Sequence, residues 1–278
     1  MKVTEDINQI RQIRWADPTV SWGFVPTMGF LHEGHLSLVR RAKAENERTA
    51  VSIYVNPTQF APNEDLDSYP RDLARDLTLL EAEGVDLVFT PSDDVMYPPG
   101  FQTIVTVSEL SRPLEGSSRP THFQGVATIV AKLFNIIQPT RAYFGQKDAQ
   151  QAVVLRQMAR DLNFNVAMII CPIVREADGL ALSSRNKYLT PEQRQAATVL
   201  SRALKKAQND YTKGERDGRI LRQIMREVIN TEPLARLDYV SAADPATLQE
   251  LEEVKEGVLL STAVFFGKTR LIDNILIE

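Results

Sequence analysis

The sequence predicts an α/β fold, a parallel sheet with helices on both faces, followed by a smaller α+β domain. Three observations carry this. As far as Cys171, short apolar runs of strand length alternate with stretches of helical periodicity, the pattern of consecutive β–α units. Several of these runs are closed by proline, among them those ended by Pro26, Pro57 and Pro91. Beyond Thr190 the order changes to helices and then three strand candidates.

Residues 20–25 read as a strand closed by Pro26, after which Leu36, Leu38, Val39 and Ala42 recur at helical spacing up to Arg48. Residues 49–55 form the next strand, stopped by Asn56 and Pro57. A helix over 70–83 takes Pro70 in its first turn, Leu73, Leu77 and Leu80 as its stripe, and Gly84 as its stop. Strands follow at 85–89 and, after a proline-containing loop, at 103–107. A helix over 123–137, a strand over 141–144, a helix over 148–162 and a strand over 165–171 complete the first part. Thr190 suits an N-cap and Pro191 the first position of a long helix running to about Tyr211. A second helix covers 219–230, and strands are expected at 237–241, 257–266 and 271–276. The division falls near 173–178, giving expected domains of 1–174 and 175–278. The chain carries neither an internal repeat nor a low-complexity segment.

The 278 residues suffice for two cores. A net charge of −4 provides no global field for nucleic acid or an anionic membrane, so neither is expected as a partner. The single cysteine, Cys171, excludes an internal disulfide and a thiolate zinc site, and its apolar surroundings at 166–173 suit a buried, inert thiol. Residues 1–10 contain no leader-type apolar run, and no stretch nears the ~20 apolar residues of a membrane span. A cytoplasmic protein is expected.

The most informative stretch is PTMGFLHEGH, residues 26–35, where the first strand hands over to a helix. Exposed N–H groups and the positive end of the helix dipole favour an anion there. His32 and His35, three residues apart on the first turn, face the same way. Gly29 and Gly34 let a bulky ligand approach the backbone. A lone HxxH is weak, and single lysines and serines in loops are usually solvated. Here, however, VNPTQF follows the second strand, YFGQKD ends a strand and opens a helix, and LSSRN lies in the linker to the smaller domain.

In this order and spacing the four strings resemble the motifs of the pantothenate synthetase family, the pantoate–β-alanine ligases. The likeness spans residues 23–186, and the remainder is compatible with that family's small C-terminal domain. The resemblance implies a Rossmann-like core of the HxGH nucleotidyltransferase superfamily, similar to that of class I tRNA synthetases, with the C-terminal domain closing as a lid. It implies condensation of (R)-pantoate with β-alanine at the expense of ATP, through a pantoyl adenylate, releasing AMP and pyrophosphate. That makes it a carbon–nitrogen ligase of pantothenate biosynthesis, on the route to coenzyme A. It further implies a homodimer, with Mg²⁺ accompanying ATP on phosphate oxygens and water and no dedicated metal ligands.

Residue by residue, the likeness assigns ATP contacts to Met28, Gly29, Phe30, Leu31, His32, Glu33, Gly34 and His35 in the first motif. Gly145, Gln146, Lys147 and Asp148 follow in the third, then Val174 near adenine and Leu182, Ser183, Ser184 and Arg185 in the fourth. His35 is the implied proton donor, His32 its partner, Lys147 the charge on the triphosphate, and Ser183, Ser184 and Arg185 the phosphate grip. Gln59 and Gln151 match the pantoate contacts. A neutral amide offers both donor and acceptor to a substrate with hydroxyls and a carboxylate. Pro26, Met28 and Phe60 are candidate walls for the two methyl groups, and Glu33 is expected to face solvent. Asp76 is a weak candidate for an outer contact to Mg²⁺, and His122 is expected to brace the following helix.

Two other classes remain open on the motifs alone. One is a nucleotidyltransferase whose final product is the nucleotidylated phosphate acceptor. The other is a non-catalytic nucleotide- or tRNA-binding relative, against which the acidic balance counts.

Overall fold

The computed structural model describes residues 1–62 and 64–278. By compactness it divides into two units. Unit 1 comprises Met1–Gly145 and Gln151–Pro172, and unit 2 comprises Gln146–Gln150 and Ile173–Glu278.

Unit 1 is built on a six-stranded sheet: β1 (Lys2–Thr4), β2 (Trp22–Thr27), β3 (Arg48–Ile53), β4 (Leu87–Phe89), β5 (Arg141–Gly145) and β6 (Ala167–Cys171). The order is β1-β4-β3-β2-β5-β6, and every pairing is parallel. Its main helices are α1 (Ile7–Trp15), α2 (Glu33–Glu45) and α3 (Leu73–Ala82), with the single turns α4 (Asp93–Met96) and α5 (Glu115–Ser118) preceding α6 (His122–Ile137) and α7 (Ala149–Asp161). Alternation along the strands supplies two cores. Phe24, Leu87, Phe89, Ala142 and Phe144 face one cluster with Ile10 of α1, much of α6, and Val154, Leu155 and Met158 of α7. Val25, Val51, Val88 and Tyr143 face the other, with Leu38, Val39 and Ala42 of α2 and Leu80 of α3. Helices therefore cover both faces. Cys171 is buried in the second cluster, and burial pushes its thiol up.

Unit 2 contains an antiparallel sheet in the order β7 (Ala235–Ala243), β8 (Val258–Phe266), β9 (Thr269–Ile277). Its helices α8 (Pro191–Ala196), α9 (Val199–Thr212) and α10 (Gly218–Asn230) contribute Ala196, Leu200, Leu204, Leu221 and Met225 to a core shared with Val258, Leu260, Val264 and Phe266.

Several expectations are corrected. Residues 103–107 form no strand: β4 is already paired on its outer side by β1, and Val105 N–H donates to Thr128 Oγ1 on α6 at 3.0 Å. That N-terminal strand and α1 are not among the expected elements; the strand is only three residues long, two exposed and one buried, and so carries no period. The helix expected from Pro70 begins at Leu73, since the Asp72 carboxylate accepts Arg75 N–H at 3.1 Å and caps it there. The helix expected to reach Arg48 ends at Glu45, where extended Asn46 turns its side-chain amide back onto Ala42 O at 2.8 Å. The long helix after Thr190 is two, because the Thr198 hydroxyl takes the Gln195 carbonyl at 2.8 Å in competition with the helical ladder.

Candidate active site

In unit 1 the chain order reverses at β2, with β3, β4 and β1 on one side and β5 and β6 on the other. The carboxyl ends of β2 and β5 thus flank a topological switch point, the usual ligand crevice of an open parallel sheet. The loop leaving β2 places two consecutive residues in the left-handed region, Gly29 at φ 80° and Phe30 at φ 51°. Such a pair needs an anchor, and Asp76 of α3 supplies it. Its carboxylate, 1% exposed, accepts Phe30 N–H at 2.6 Å and Leu31 N–H at 2.8 Å. Burial pushes its carboxyl above the usual range, against the pull of those two bonds. Arg75 donates to Leu31 O at 2.9 Å and lies over the Phe30 ring. A side chain at Gly29 would meet Asp76 Oδ2 and Ile53 Cγ2 at 3.0 Å, so glycine is required on space as well as φ. Met28, Gly29 and Phe30 also wall a cleft of about 350 Å³ over the ends of β3 and β4.

His32 is the N-cap of α2. Its Nδ1 accepts Gly34 N–H at 3.2 Å, and His35 Nδ1 accepts His32 N–H at 3.3 Å. The two rings lie 4.1 Å apart at 37°. Reciprocal capping has a chemical consequence: with Nδ1 an acceptor in both rings, a neutral ring carries its proton on Nε2. Both imidazoles are thereby set as Nε2 donors at a helix N-terminus. Glu33 is half-exposed and ion-paired with Arg40, as its expected solvent-facing position requires.

The connection after β3 opens with a tight turn, Pro57–Gln59, capped by Asn56, whose side chain is buried. Asn56 Nδ2 donates to Gln59 Oε1 at 3.2 Å and Gly125 O at 3.1 Å, while Tyr97 Oη donates to Asn56 Oδ1 at 2.7 Å. Gln59 Nε2 points its donor at Met28 Sδ, 2.7 Å away, which joins the first two motifs. The Gln59 carbonyl is held by His122 Nδ1 at 2.9 Å and Arg119 Nη2 at 3.3 Å. Arg119 in turn forks onto Glu64 at 2.5 and 2.6 Å. Burial opposes ionisation of Glu64, but Arg119 outweighs it and holds the carboxyl below its ordinary range. Burial first, then the Arg119 charge, push His122 down to about 4, so the ring is neutral at physiological pH. His122 therefore braces the Gln59 turn as well as opening α6. Gln151 is half-buried in the first turn of α7.

Unit 2 holds the fourth motif and residues 146–148 of the third, whose Gly145 ends β5 in unit 1. Lys147 Nζ lies 3.5 Å from Asp148 Oδ1. Asn274 of β9 donates through Nδ2 to Gln146 O at 3.0 Å and Lys147 O at 2.9 Å, and its Oδ1 accepts Gln146 Nε2 at 3.1 Å. Residues 174–182 form a tight hairpin: Leu182 N–H bonds Val174 O at 3.0 Å, Arg175 bridges Ala181, and Gly179 turns at φ 97°. Arg175 forks onto Asp273 at 2.6 and 2.8 Å. Ser183 caps the following turn, Ser184–Tyr188, through its Oγ on Arg185 N–H at 3.3 Å.

The structure thus brings Met28 to Gln59 and stacks His32 on His35 within unit 1, and ties Gln146 and Lys147 to β9 within unit 2. Both Asp76 oxygens accept backbone N–H groups, which makes the carboxylate the anchor of the histidine loop. Among the described residues no group of three His, Cys, Asp or Glu side chains could hold a metal ion, so the donor set does not form a protein cage for Mg²⁺. Asp76 as loop anchor, the Arg119–Glu64 fork and the Asp273–Asn274 pair went unread in the sequence. The last had a visible signal, a carboxylate and an amide inside the otherwise apolar run 271–277.

Known proteins resemble this chain along its length. A profile of the family described as Pantoate-beta-alanine ligase matches residues 2–276. The pantothenate synthetases of Chloroflexus aggregans and Roseiflexus sp. (strain RS-1) are 62% and 60% identical over 278 residues, covering all of both chains in each case. A crystal structure of pantothenate synthetase from Thermus thermophilus is 47% identical, with a TM-score of 0.94 and 99% of each chain covered. The pantoate-beta-alanine ligase of Francisella tularensis, solved in complex with beta-gamma ATP and beta-alanine, is 37% identical with a TM-score of 0.80, covering 99% of this chain and 97% of that one. By the length of the profile match and these identities, the chain belongs to the pantoate–β-alanine ligase family.

Proposed function

We propose that the chain condenses (R)-pantoate with β-alanine using ATP, through a pantoyl adenylate, and releases AMP and pyrophosphate. The observation that carries this reading is the pair of reciprocally capped histidines inside a chain that matches the ligase family along its length. A carboxylate is a poor acyl donor, and attaching AMP gives it a leaving group. Catalysis of that first step is chiefly positioning and compensation of negative charge.

In this reading His35 Nε2–H donates to phosphate oxygens as pyrophosphate departs, and His32 holds the helix start while donating beside it. Lys147, with Ser183, Ser184 and Arg185, neutralises the triphosphate, and Asp148 accepts from a ribose hydroxyl. Gln59 and Gln151 orient pantoate by amide donors and acceptors. The Gln59 amide is already oriented by Asn56 and Met28, which supports a recognition role over a loop-capping one. Mg²⁺ would be carried by the phosphate oxygens and water. The C-terminal domain acts as a lid, which would shield the mixed anhydride from water, and the enzyme works as a cytoplasmic homodimer.

Incubation with ATP, pantoate and β-alanine tests the reading. AMP formation that requires pantoate, with pantothenate as the final product, is expected. Accumulation of a nucleotidylated phosphate acceptor, or no turnover at all, would refute it. His35→Ala should fold and lose adenylate formation by ~10² or more, the scale for one transition-state donor; near-normal turnover would remove His35 from its role.

A further inference from the structure

β9 carries Leu271, Ile272, Ile275, Leu276 and Ile277, yet at its centre stand Asp273 and Asn274, only 2% and 3% exposed. A buried carboxylate and amide in an apolar strand are costly unless partnered. Apart from the Asn274 N–H that Asp273 Oδ1 accepts at 2.8 Å, their side chains are engaged by two segments, 146–147 and Arg175. Asn274 spends both N–H donors on the carbonyls of Gln146 and Lys147 and accepts from the Gln146 side chain. Asp273 takes both arms of Arg175 at 2.6 and 2.8 Å, and Arg175 also donates to Gly179 O at 3.0 Å and Asn274 O at 3.3 Å. Arg175 stands near the base of the 174–182 hairpin, whose last residue precedes Ser183.

Successive strand residues point to opposite faces, and the register with β8 is unbroken here, Thr262 opposite Asp273 and Ser261 opposite Asn274. One dipeptide can therefore reach two loops. Because a trans peptide sets N–H opposite C=O, turning the carbonyls of residues 146 and 147 onto Asn274 turns the N–H groups of Lys147 and Asp148 away from it. The lysine loop is thus held directly by this strand position, and the serine–arginine loop through Arg175 of the hairpin that precedes it.

We propose that Asp273 and Asn274 are positioning residues for the ligase reaction, locking the Gln146–Asp148 loop and the Ser183–Arg185 loop into fixed register so that both address one nucleotide. The proposal rests on the ligase reading, so the unmodified enzyme is assayed first. An inactive wild type defeats that reading, whereas an active wild type with indifferent variants defeats only this proposal.

The test variant is Asn274→Leu, which keeps the volume, adds no charge and frees the two carbonyls. The expected result is a roughly tenfold rise in KM for ATP and a comparable fall in pantoate-dependent ATP–pyrophosphate exchange. KM for pantoate should stay within twofold. In Lys147→Ala background the same substitution should add less than twofold, because its effect acts through that loop. Equal rises in both KM values, no rise in either, or full multiplication in the double variant would each overturn the proposal. Should Asn274→Leu not fold, Gln146→Ala removes the reciprocal contact and should give the same split at about threefold; an unchanged KM for ATP there overturns it. Arg175→Lys, which keeps the charge but loses the fork, should reproduce the split through the second loop, and wild-type ATP kinetics in that variant would overturn that half.

Discussion

Asp76→Asn isolates the anchor of the histidine loop. The carboxylate accepts two N–H groups, from Phe30 and Leu31, at 2.6 and 2.8 Å. An asparagine keeps one acceptor and sets an NH₂ against the other N–H. A bond to a charged group contributes about 1.5–3 kcal/mol, and an orphaned buried donor costs about as much as the bond it lost, so the loop should weaken by about 2–3 kcal/mol. Holding Phe30 in the left-handed region costs about 1–2 kcal/mol, so the remaining bonds, Gly29 N–H to Thr27 Oγ1 and Arg75 to Leu31 O, must carry a loop close to release. Total stability of about 5–15 kcal/mol leaves the fold intact. If the ordered loop is needed for adenylate formation, 2–3 kcal/mol corresponds to about 30- to 150-fold in rate. Pantoate-dependent ATP–pyrophosphate exchange, measured beside thermal unfolding, reads both effects. Wild-type exchange with wild-type unfolding would refute the anchoring argument. So would full recovery of rate on raising Mg²⁺, which would make Asp76 a metal contact instead.

Lys147→Ala should raise KM for ATP by about tenfold or more while sparing KM for pantoate, and unchanged ATP kinetics would contradict its charge role. His122 has a folded pKa of about 4, held down by burial and then Arg119, against about 6.5 in an unfolded chain. Between those values the unfolded chain binds more protons, so stability contributed by the neutral ring is complete above pH ~6.5 and is lost as pH falls towards ~4. The ceiling is about 3 kcal/mol, lowered by the partial exposure of the ring. Urea unfolding at a series of pH values should show a shallower acid slope in His122→Gln, and an identical slope would refute the assignment. Gly125→Ala would set a methyl 2.4 Å from Thr58 O and 2.6 Å from Gln59 N. Displacing that turn should cost about 1–3 kcal/mol and raise KM for pantoate above that for ATP, which thermal unfolding and steady-state kinetics would check.

What was legible in the sequence followed from local rules. The alternation of apolar runs gave the parallel sheet, and Pro191 after Thr190 marked a helix start to the residue. His32 and His35 were readable as a pair because helical spacing puts residues three apart side by side. Their tautomer was not, since it depends on which backbone N–H each ring accepts. The edge strand Lys2–Thr4 was hidden because its pairing with Leu87–Phe89 spans more than eighty residues and leaves no period in a three-residue run. Asp76 and Glu64 were invisible as site builders for a related reason. They act on backbone or side-chain groups 45 and 55 residues away, and one polar residue among many has no local signature of such a reach. The polar pair at 273–274 stands out in its apolar run, but nothing local names its partner 127 residues away.

The short strand Lys2–Thr4 has a colloidal consequence. It covers the outer rim of Leu87–Phe89, and it presents in its place a rim only three residues long that begins with a lysine. Short, charged borders discourage intermolecular β-pairing. Trimming residues 1–5 would bare the amides of a Leu-Val-Phe segment and give other copies a template on which to add, so shortened chains should precipitate before they lose their chemistry.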